Sequence, residues 1–296
     1  MASQLSTPSR LVPSADGTPI AVFSSGGADP VANSPALILV HGAAADHTTF
    51  RVIGPRLAER YPVHAIDRRG RGGSGDTTPY AIEREFEDVA AVAEAIANGS
   101  DRSVALIGHS YGGRCSLGAA LLTDAIGAVV CYEGAPTPPG VDYGDAALVA
   151  ELAELDRAGQ PARLLETFLR RVVGMDDAGI AAYQADPVWP LRVGAAHTIP
   201  RELLAEGRAD AAGLEVLGQV RQPVLQVLGG DSKPEFAHAT AALDDRLANG
   251  IVAVIPGARH AAHHTHPDAL IEAIETFLGS SGGDPKRPTM GYSDGA

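Results

Sequence analysis

Gly108-His109-Ser110-Tyr111-Gly112 sets a serine between two glycines in the pattern G-x-S-x-G. The apolar run Ser103 to Ile107, of strand character, precedes it, and the small apolar run Cys115 to Leu122, of helical character, follows. A serine on so sharp a strand-to-helix turn is held in a strained conformation with its hydroxyl exposed. The glycines let strand, helix and ligand approach closely. A serine hydroxyl is a weak nucleophile at neutral pH and needs a base within hydrogen-bond reach. Ten histidines compete for that role. Four of them, His260, His263, His264 and His266, crowd one loop. No metal is expected there, because the loop brings no acidic or cysteine ligand set and adjacent positions point in different directions. His260 stands out as the base. It follows Ile255-Pro256-Gly257-Ala258-Arg259 directly off a strand, ahead of a helix opened by Pro267. His109 belongs to the serine turn and points away from the hydroxyl, while the other three are expected at the surface or in support.

The elements that must position these residues alternate in type. Strands are expected at Thr18–Ser24, Ala36–Val40, Val63–Ile66, Ser103–Ile107, Ala128–Tyr132, Pro223–Leu228 and Ile251–Ile255. Ala36–Val40 is apolar throughout, as suits a strand buried on both faces. Helices are expected at Thr49–Arg60, Ile82–Ala97, Glu235–Leu247 and Asp268–Leu278. Ile82, Phe86, Val89, Ala93 and Ile96 make one stripe on the second of these. Such alternation predicts an α/β fold, a mostly parallel central sheet covered by helices on both faces. Strand runs cease between Pro136 and Arg221, where short helices are expected at Ala147–Ala158, Ala162–Val173, Trp189–Ala196 and Arg201–Ala205. The expected organisation is therefore a core of residues 1–135 and 223–279, an inserted all-helical lid over residues 136–222, and a disordered tail over 280–296. No internal repeat is present.

Bulk composition narrows the partners. The 296 residues can bury a large core, and 45% hydrophobic with 20% charged residues is ordinary for a soluble globule. Basic residues number 23 against 36 acidic, a net charge of −13, which opposes nucleic acid or an anionic membrane as partner. No apolar run approaches the ~18 residues of a membrane span. Residues 1–10 lack the apolar stretch of a signal peptide. Cys115 and Cys131 both fall in apolar segments, so buried free thiols in a reducing, cytoplasmic setting are expected. A small-molecule substrate is expected, with no cofactor, and a homodimer is the expected form of any assembly.

Four motifs in order carry a resemblance: His41-Gly42-Ala43 after the apolar strand, Asp67-Arg68-Arg69-Gly70-Arg71-Gly72-Gly73-Ser74 after the next, Gly108 to Gly113, and Gly257 to His260 followed by Pro267. Over roughly residues 10–278 the chain resembles serine enzymes of the α/β-hydrolase fold. The resemblance implies an oxyanion hole made by the backbone N–H groups of Tyr111 and Ala43, in general the strongest single contribution to acyl transfer. It implies that Arg68 and Arg69 buttress the sheet edge.

The acid departs from the commonest pattern of the family, which has Gly and then Asp three positions later after the strand opened here by Pro223. Gly229 is in place, but the third position on is Ser232, and Asp231 sits one residue early. Some members carry the acid after the preceding strand, often as Glu, and there this chain has Glu133. A carboxylate fixes the histidine tautomer and stabilises the imidazolium. Glu133 is favoured as the acid and Asp231 is the alternative.

Trp189, Tyr183, Phe168, His197 and Tyr132 are the candidates to line an apolar substrate pocket, the first four from the lid. Tyr111 and Phe50 also lie near its centre. The expected function is a serine hydrolase acting on an ester or lactone of a mid-sized, largely apolar molecule. A lyase, a perhydrolase or a hydrolase of C–C bonds on the same scaffold is the alternative, and a ligand-sensing receptor is a third.

Overall fold

The computed structural model describes residues 7–26, 34–100, 102–206 and 209–280. Strands β1 (Arg10–Pro13) and β2 (Pro19–Ser25) form a hairpin. Strand β3 (Ala36–Val40) leads through a 3-10 turn (His47–Phe50) and helix α1 (Ile53–Leu57) to β4 (Val63–Ile66). Helix α2 (Ile82–Ala97), β5 (Val104–His109), α3 (Tyr111–Ala120) and β6 (Ile126–Tyr132) follow. Among the described residues seven α-helices come next, α4 (Ala146–Arg157), α5 (Pro161–Phe168), α6 (Asp177–Ala185), α7 (Trp189–Ala195), α8 (Ile199–Glu206), α9 (Ala209–Ala212) and α10 (Leu214–Leu217), with a π-helical turn (Leu169–Val173) after α5 and a 3-10 turn (Ala196–Thr198) after α7. The chain then returns with β7 (Val224–Gly229), α11 (Pro234–Asp244), β8 (Gly250–Ile255), α12 (Ala262–Thr265) and α13 (Pro267–Ser280).

The eight strands lie in the order β1-β2-β4-β3-β5-β6-β7-β8, with β2 antiparallel to its neighbours and β3 to β8 parallel. The order reverses between β3 and β5, and the crevice beyond the carboxyl ends of two such strands is where open α/β sheets bind ligands. Both the His41-Gly42-Ala43 turn and Ser110 leave the sheet there. The side-chain period of two splits β3 between two cores. Ala36, Ile38 and Val40 pack with Phe86 and Val89 of α2 and Leu117 of α3, whereas Leu37 and Leu39 pack with Leu57 of α1 and Ile274 and Phe277 of α13.

Several elements differ from expectation. The hairpin strand β1 is too short and too exposed to announce itself by alternation. The single helix expected at Thr49–Arg60 is broken, because Asp46 caps the 3-10 turn and α1 runs for only five residues around Pro55. Helix α3 starts at Tyr111 rather than Cys115, since its glycines are placed by packing and not by helical propensity. Helix α6 lacks a wide apolar stripe and was not foreseen; Asp176 caps it. Helix α13 extends to Ser280, so the expected tail begins one residue later, and the rest of it lies outside the described residues. No described helix is long and apolar enough to cross a membrane.

The insertion has a core of its own. Leu148, Leu152 and Leu155 of α4 meet Leu164, Leu165 and Phe168 of α5, and Ile180, Ile199 and Ala44 close the cluster. It is also tied to the sheet by buried charge. Arg192 of α7 donates to Asp46 Oδ1 (2.6 Å), to Thr48 Oγ1 (2.9 Å) and to Tyr183 Oη (3.1 Å), and is 1% exposed. Glu202 of α8 accepts from Arg68 (2.6 Å) and from Arg71, while Arg68 also grips Glu85 of α2 through two bonds of 2.7 and 2.9 Å. Arg69 is paired in the same two-pronged way with Asp88. Arg68 and Arg69 thus brace the molecule, as the resemblance implies.

Removing one member of a buried pair leaves a desolvated charge behind, at a cost of about 3–5 kcal/mol. Arg192→Met is therefore expected to lower the urea midpoint by that equivalent, and Arg157→Met, in an exposed pair with Glu154, to leave it unchanged. Equal midpoints would mean that Arg192 does not anchor the insertion.

Candidate active site

Ser110 follows the last residue of β5 and precedes the first turn of α3, with φ 55° and ψ −128°. Among the described residues only Ala44, Ser110 and Glu133 are non-glycine residues with positive φ, and all three gather at this crevice. Each such backbone costs on the order of 1–3 kcal/mol and persists only where surrounding structure enforces it. The enforcement is visible at Gly112, where an added Cβ would strike the carbonyl oxygens of Val40 and His41. Ser110 N–H donates to Tyr132 O (2.7 Å) and Gly113 N–H to Ser110 O (2.8 Å), which ties the turn to β6.

His260 lies in the loop after β8 and is 8% exposed. Its Nδ1 is 2.5 Å from Glu133 Oε2. The other oxygen of Glu133, Oε1, accepts from Gly229 N–H (2.7 Å) and from Ser232 Oγ (2.6 Å). A carboxylate held by two donors keeps its second oxygen aimed at the ring, and the Nδ1–H tautomer leaves Nε2 able to take a proton. Asp231 is exposed at the surface, with its N–H given to Ala258 O (2.9 Å). Glu133, not Asp231, is the carboxylate brought to His260, and the serine at position 232 assists it.

The residues just before Ser110 and Glu133 hold the histidine loop. His109 Nε2–H donates to His260 O (2.8 Å). Tyr132 Oη donates to Arg259 O and accepts from Ala262 N–H (2.9 Å). His260 is gripped on both sides of its backbone, and Phe236 stacks on its ring at 4.5 Å between centroids. Burial and the neighbouring His260 hold His109 well below the ordinary imidazole range, so it stays a neutral strut. His263 is likewise buried and lowered, with Nε2 3.4 Å from Thr49 Oγ1. Of the two places expected for it, at the surface or in support, it takes the second, packed against the ring of His109 at 4.4 Å between centroids. His41 is a second neutral strut, lowered first by burial; its Nδ1–H donates to Gly42 O and its Nε2 accepts from Arg68 N–H, both at 2.9 Å.

Two cavities meet at Ser110, and Ser110, Ala43, Phe168, Val173 and His260 line both. The larger, about 350 Å³, runs between the sheet edge and the insertion past Leu169, Met175 and Tyr183. Its polar rim includes the ion pair of Arg51 with Asp186 (2.7 Å) and His264, which burial and then Arg51 lower to about 4. The smaller, about 30 Å³, is bounded by Tyr111, Arg114, Glu133, Glu202, Glu206 and Phe236, among others. Among the described residues the N–H groups of Ala43 and Tyr111 are donated to no protein acceptor. Both sit beside Ser110, and Tyr111 opens α3, so the positive end of the helix dipole reinforces its N–H. The arrangement can support attack by a serine oxygen with general-base help and stabilise negative charge on a carbonyl oxygen.

Of the expected pocket residues, Phe168 and Tyr183 reach the cavity walls. Three do not. Trp189 packs edge-on against Tyr183 at 5.7 Å inside the insertion, exposed His197 donates to Gly194 O (3.0 Å), and Tyr132 is spent on the histidine loop. Phe50 is buried beside His263. Arg114, Glu202, Glu206 and Phe236 were not anticipated; each is separated in sequence from every motif except Arg114, which lies one turn past the serine.

The sequence pattern of the alpha/beta hydrolase family matches residues 37–273. An alpha/beta hydrolase of solved structure from Sphaerobacter thermophilus is 30% identical, with a TM-score of 0.74, over 91% of this chain and all of that one. A pimeloyl-[acyl-carrier protein] methyl ester esterase from Xanthomonas campestris is 28% identical over 260 residues, 84% of this chain and 97% of that protein. An esterase from Rhodococcus sp. ECU1013 is 25% identical with a TM-score of 0.71, over 92% of this chain and 98% of that one. The chain belongs to the alpha/beta hydrolase family.

Gly112→Ala is expected to cost at least about 3 kcal/mol in urea denaturation, by forcing β3 and α3 apart. Gly194, in α7 with nothing near its missing Cβ, makes the contrast, since Gly194→Ala should stabilise by about 0.5–1 kcal/mol. A Gly112→Ala protein as stable as the parent would refute the close-packed turn.

Proposed function

We propose that this alpha/beta hydrolase cleaves an ester or lactone of a mid-sized, largely apolar molecule through Ser110, His260 and Glu133 and an acyl-enzyme. The observation that supports this reading most is the 2.5 Å contact between His260 Nδ1 and a doubly held Glu133, in a cavity shared with Ser110. Ser110 Oγ attacks the carbonyl carbon as His260 Nε2 takes its proton, and Glu133 stabilises the imidazolium that forms. The N–H groups of Tyr111 and Ala43 receive the developing oxyanion, in a site where preorganised donors need no reorganisation. His260 then gives its proton to the leaving oxygen, and water releases the acyl group by the reverse path.

The larger cavity, at about 350 Å³, falls in the ordinary range for small organic ligands. Its walls of Phe168, Leu169, Val173, Met175 and Tyr183 favour an apolar chain. The similarity to a methyl ester esterase and to a second esterase points the same way. Cys115 and Cys131, unbridged and each pushed up to about 12 by burial, fit a reducing, cytoplasmic setting. Helices α4 to α10 serve in this reading as the lid that walls the substrate cavity.

A fluorophosphonate probe should label Ser110 and leave Ser110→Ala unlabelled; an unlabelled parent enzyme would refute the nucleophile. Glu133→Gln should lower kcat/KM for p-nitrophenyl esters by roughly 10³–10⁴-fold, as loss of the orienting acid does elsewhere. Asp231→Asn should stay near the parent value. The reverse pattern would transfer the acid to Asp231.

A further inference from the structure

The two cavities that meet at Ser110 differ in kind. The smaller one, at about 30 Å³, has room for a water and is less than a tenth the size of the other. Phe168, Val172, Leu203 and Phe236 contribute apolar walls. Set among them are three charged side chains outside the proposed triad: Arg114, Glu202 and Glu206. Glu202 and Arg114 are 1% and 2% exposed, and Glu202 Oε2 and Arg114 Nε have no partner among the described residues. A buried polar atom left unpaired costs about 1–3 kcal/mol. An orphan acceptor and an orphan donor, on two residues that both line one small cavity, favour an occupant that can donate and accept.

Glu206, on the last turn of α8, adds a second acceptor. Its Oε1 is 3.6 Å from Arg114 Nη1. Burial raises this carboxyl overall, while Arg114, Arg68 and His260 pull it the other way, so Glu206 and His260 lie within each other's field.

We propose that the small cavity holds the hydrolytic water, bounded by Arg114, Glu202 and Glu206, while the substrate fills the large one. The assignment rests on the acyl-enzyme reading. In the second half-reaction the water oxygen bonds to the acyl carbon and its proton passes to His260 Nε2. The tetrahedral species then collapses, the bond from the acyl carbon to Ser110 Oγ breaks, and His260 returns the proton to Oγ. The acyl chain in the large cavity need not move aside to admit the nucleophile, because water already waits on the other side of Ser110.

The test follows the fate of the acyl group from p-nitrophenyl butyrate in buffer with added methanol, which competes with water. Glu206→Leu is expected to raise the ratio of methyl butyrate to butyrate at least fivefold. It should also slow release of the acyl group about tenfold, the kinetic equivalent of one charge-assisted hydrogen bond. Butyryl-Ser110 should accumulate, by mass spectrometry after acid quench, with the acylation rate within twofold of the parent. Glu206→Gln, which keeps hydrogen-bonding atoms, should recover most of the parental ratio. A ratio unchanged in Glu206→Leu overturns the proposal, as does equal slowing of both half-reactions. A ratio of methyl butyrate to butyrate that differs between the p-nitrophenyl and phenyl esters would instead overturn the acyl-enzyme reading beneath it, because a common acyl-enzyme partitions identically whichever group has left.

Discussion

The constraint on which the site depends is the pairing of two parallel strands, β5 and β6. Their register sets Gly108 beside Cys131 and His109 beside Tyr132, so that Ser110 and Glu133 emerge one residue later on neighbouring strands. Both leave the sheet with positive φ, at 55° and 48°, and Ser110 N–H is bonded to the carbonyl just before Glu133. Strand side chains alternate between faces. The residues before these two, His109 and Tyr132, are thereby free to do a different task, and both grip the backbone around His260. A loop that would otherwise fray is held against two fixed points of the sheet.

Charge performs the corresponding task for the insertion. Arg68, Arg71 and Arg192 join the loops after β3 and β4 to helices α7 and α8 through Asp46 and Glu202, all of them buried. Arg68 also lies over the ring of Tyr111 at 4.6 Å, and Tyr111 Oη is 2.8 Å from Tyr80 Oη, itself bonded to Glu85. The underside of the serine turn is thus continuous with the ion-pair cluster that anchors the helices above it. Such pairs are weak sources of net stability, but breaking one is costly.

Much of this was legible in the residues themselves. The strand-turn-helix context of Ser110, the position of His260 off β8 and the apolar run of β3 are local signals, carried by residues within a few positions of one another. Glu133 was legible too, because Ser232 stands where an aspartate is usual. The cavity walls were not. Whether Tyr183 faces the cavity while Trp189 packs behind it depends on the crossing of α6 and α7, which no periodicity encodes. Glu202 and Glu206 read as ordinary surface residues of a short helix, and only tertiary packing buries one and brings both to Ser110. The same holds for β1 and α6, whose sequences are too short or too weakly patterned to overcome competing conformations.

Ser232 bears on how such a site can change over generations. Its hydroxyl already touches Glu133 Oε1, at 2.6 Å, so a carboxylate at 232 would arise beside the one it could replace. Two acids that close would share one proton, since both cannot ionise at little cost. Position 232 is in that sense adjacent to position 133 in space although 99 residues away in sequence.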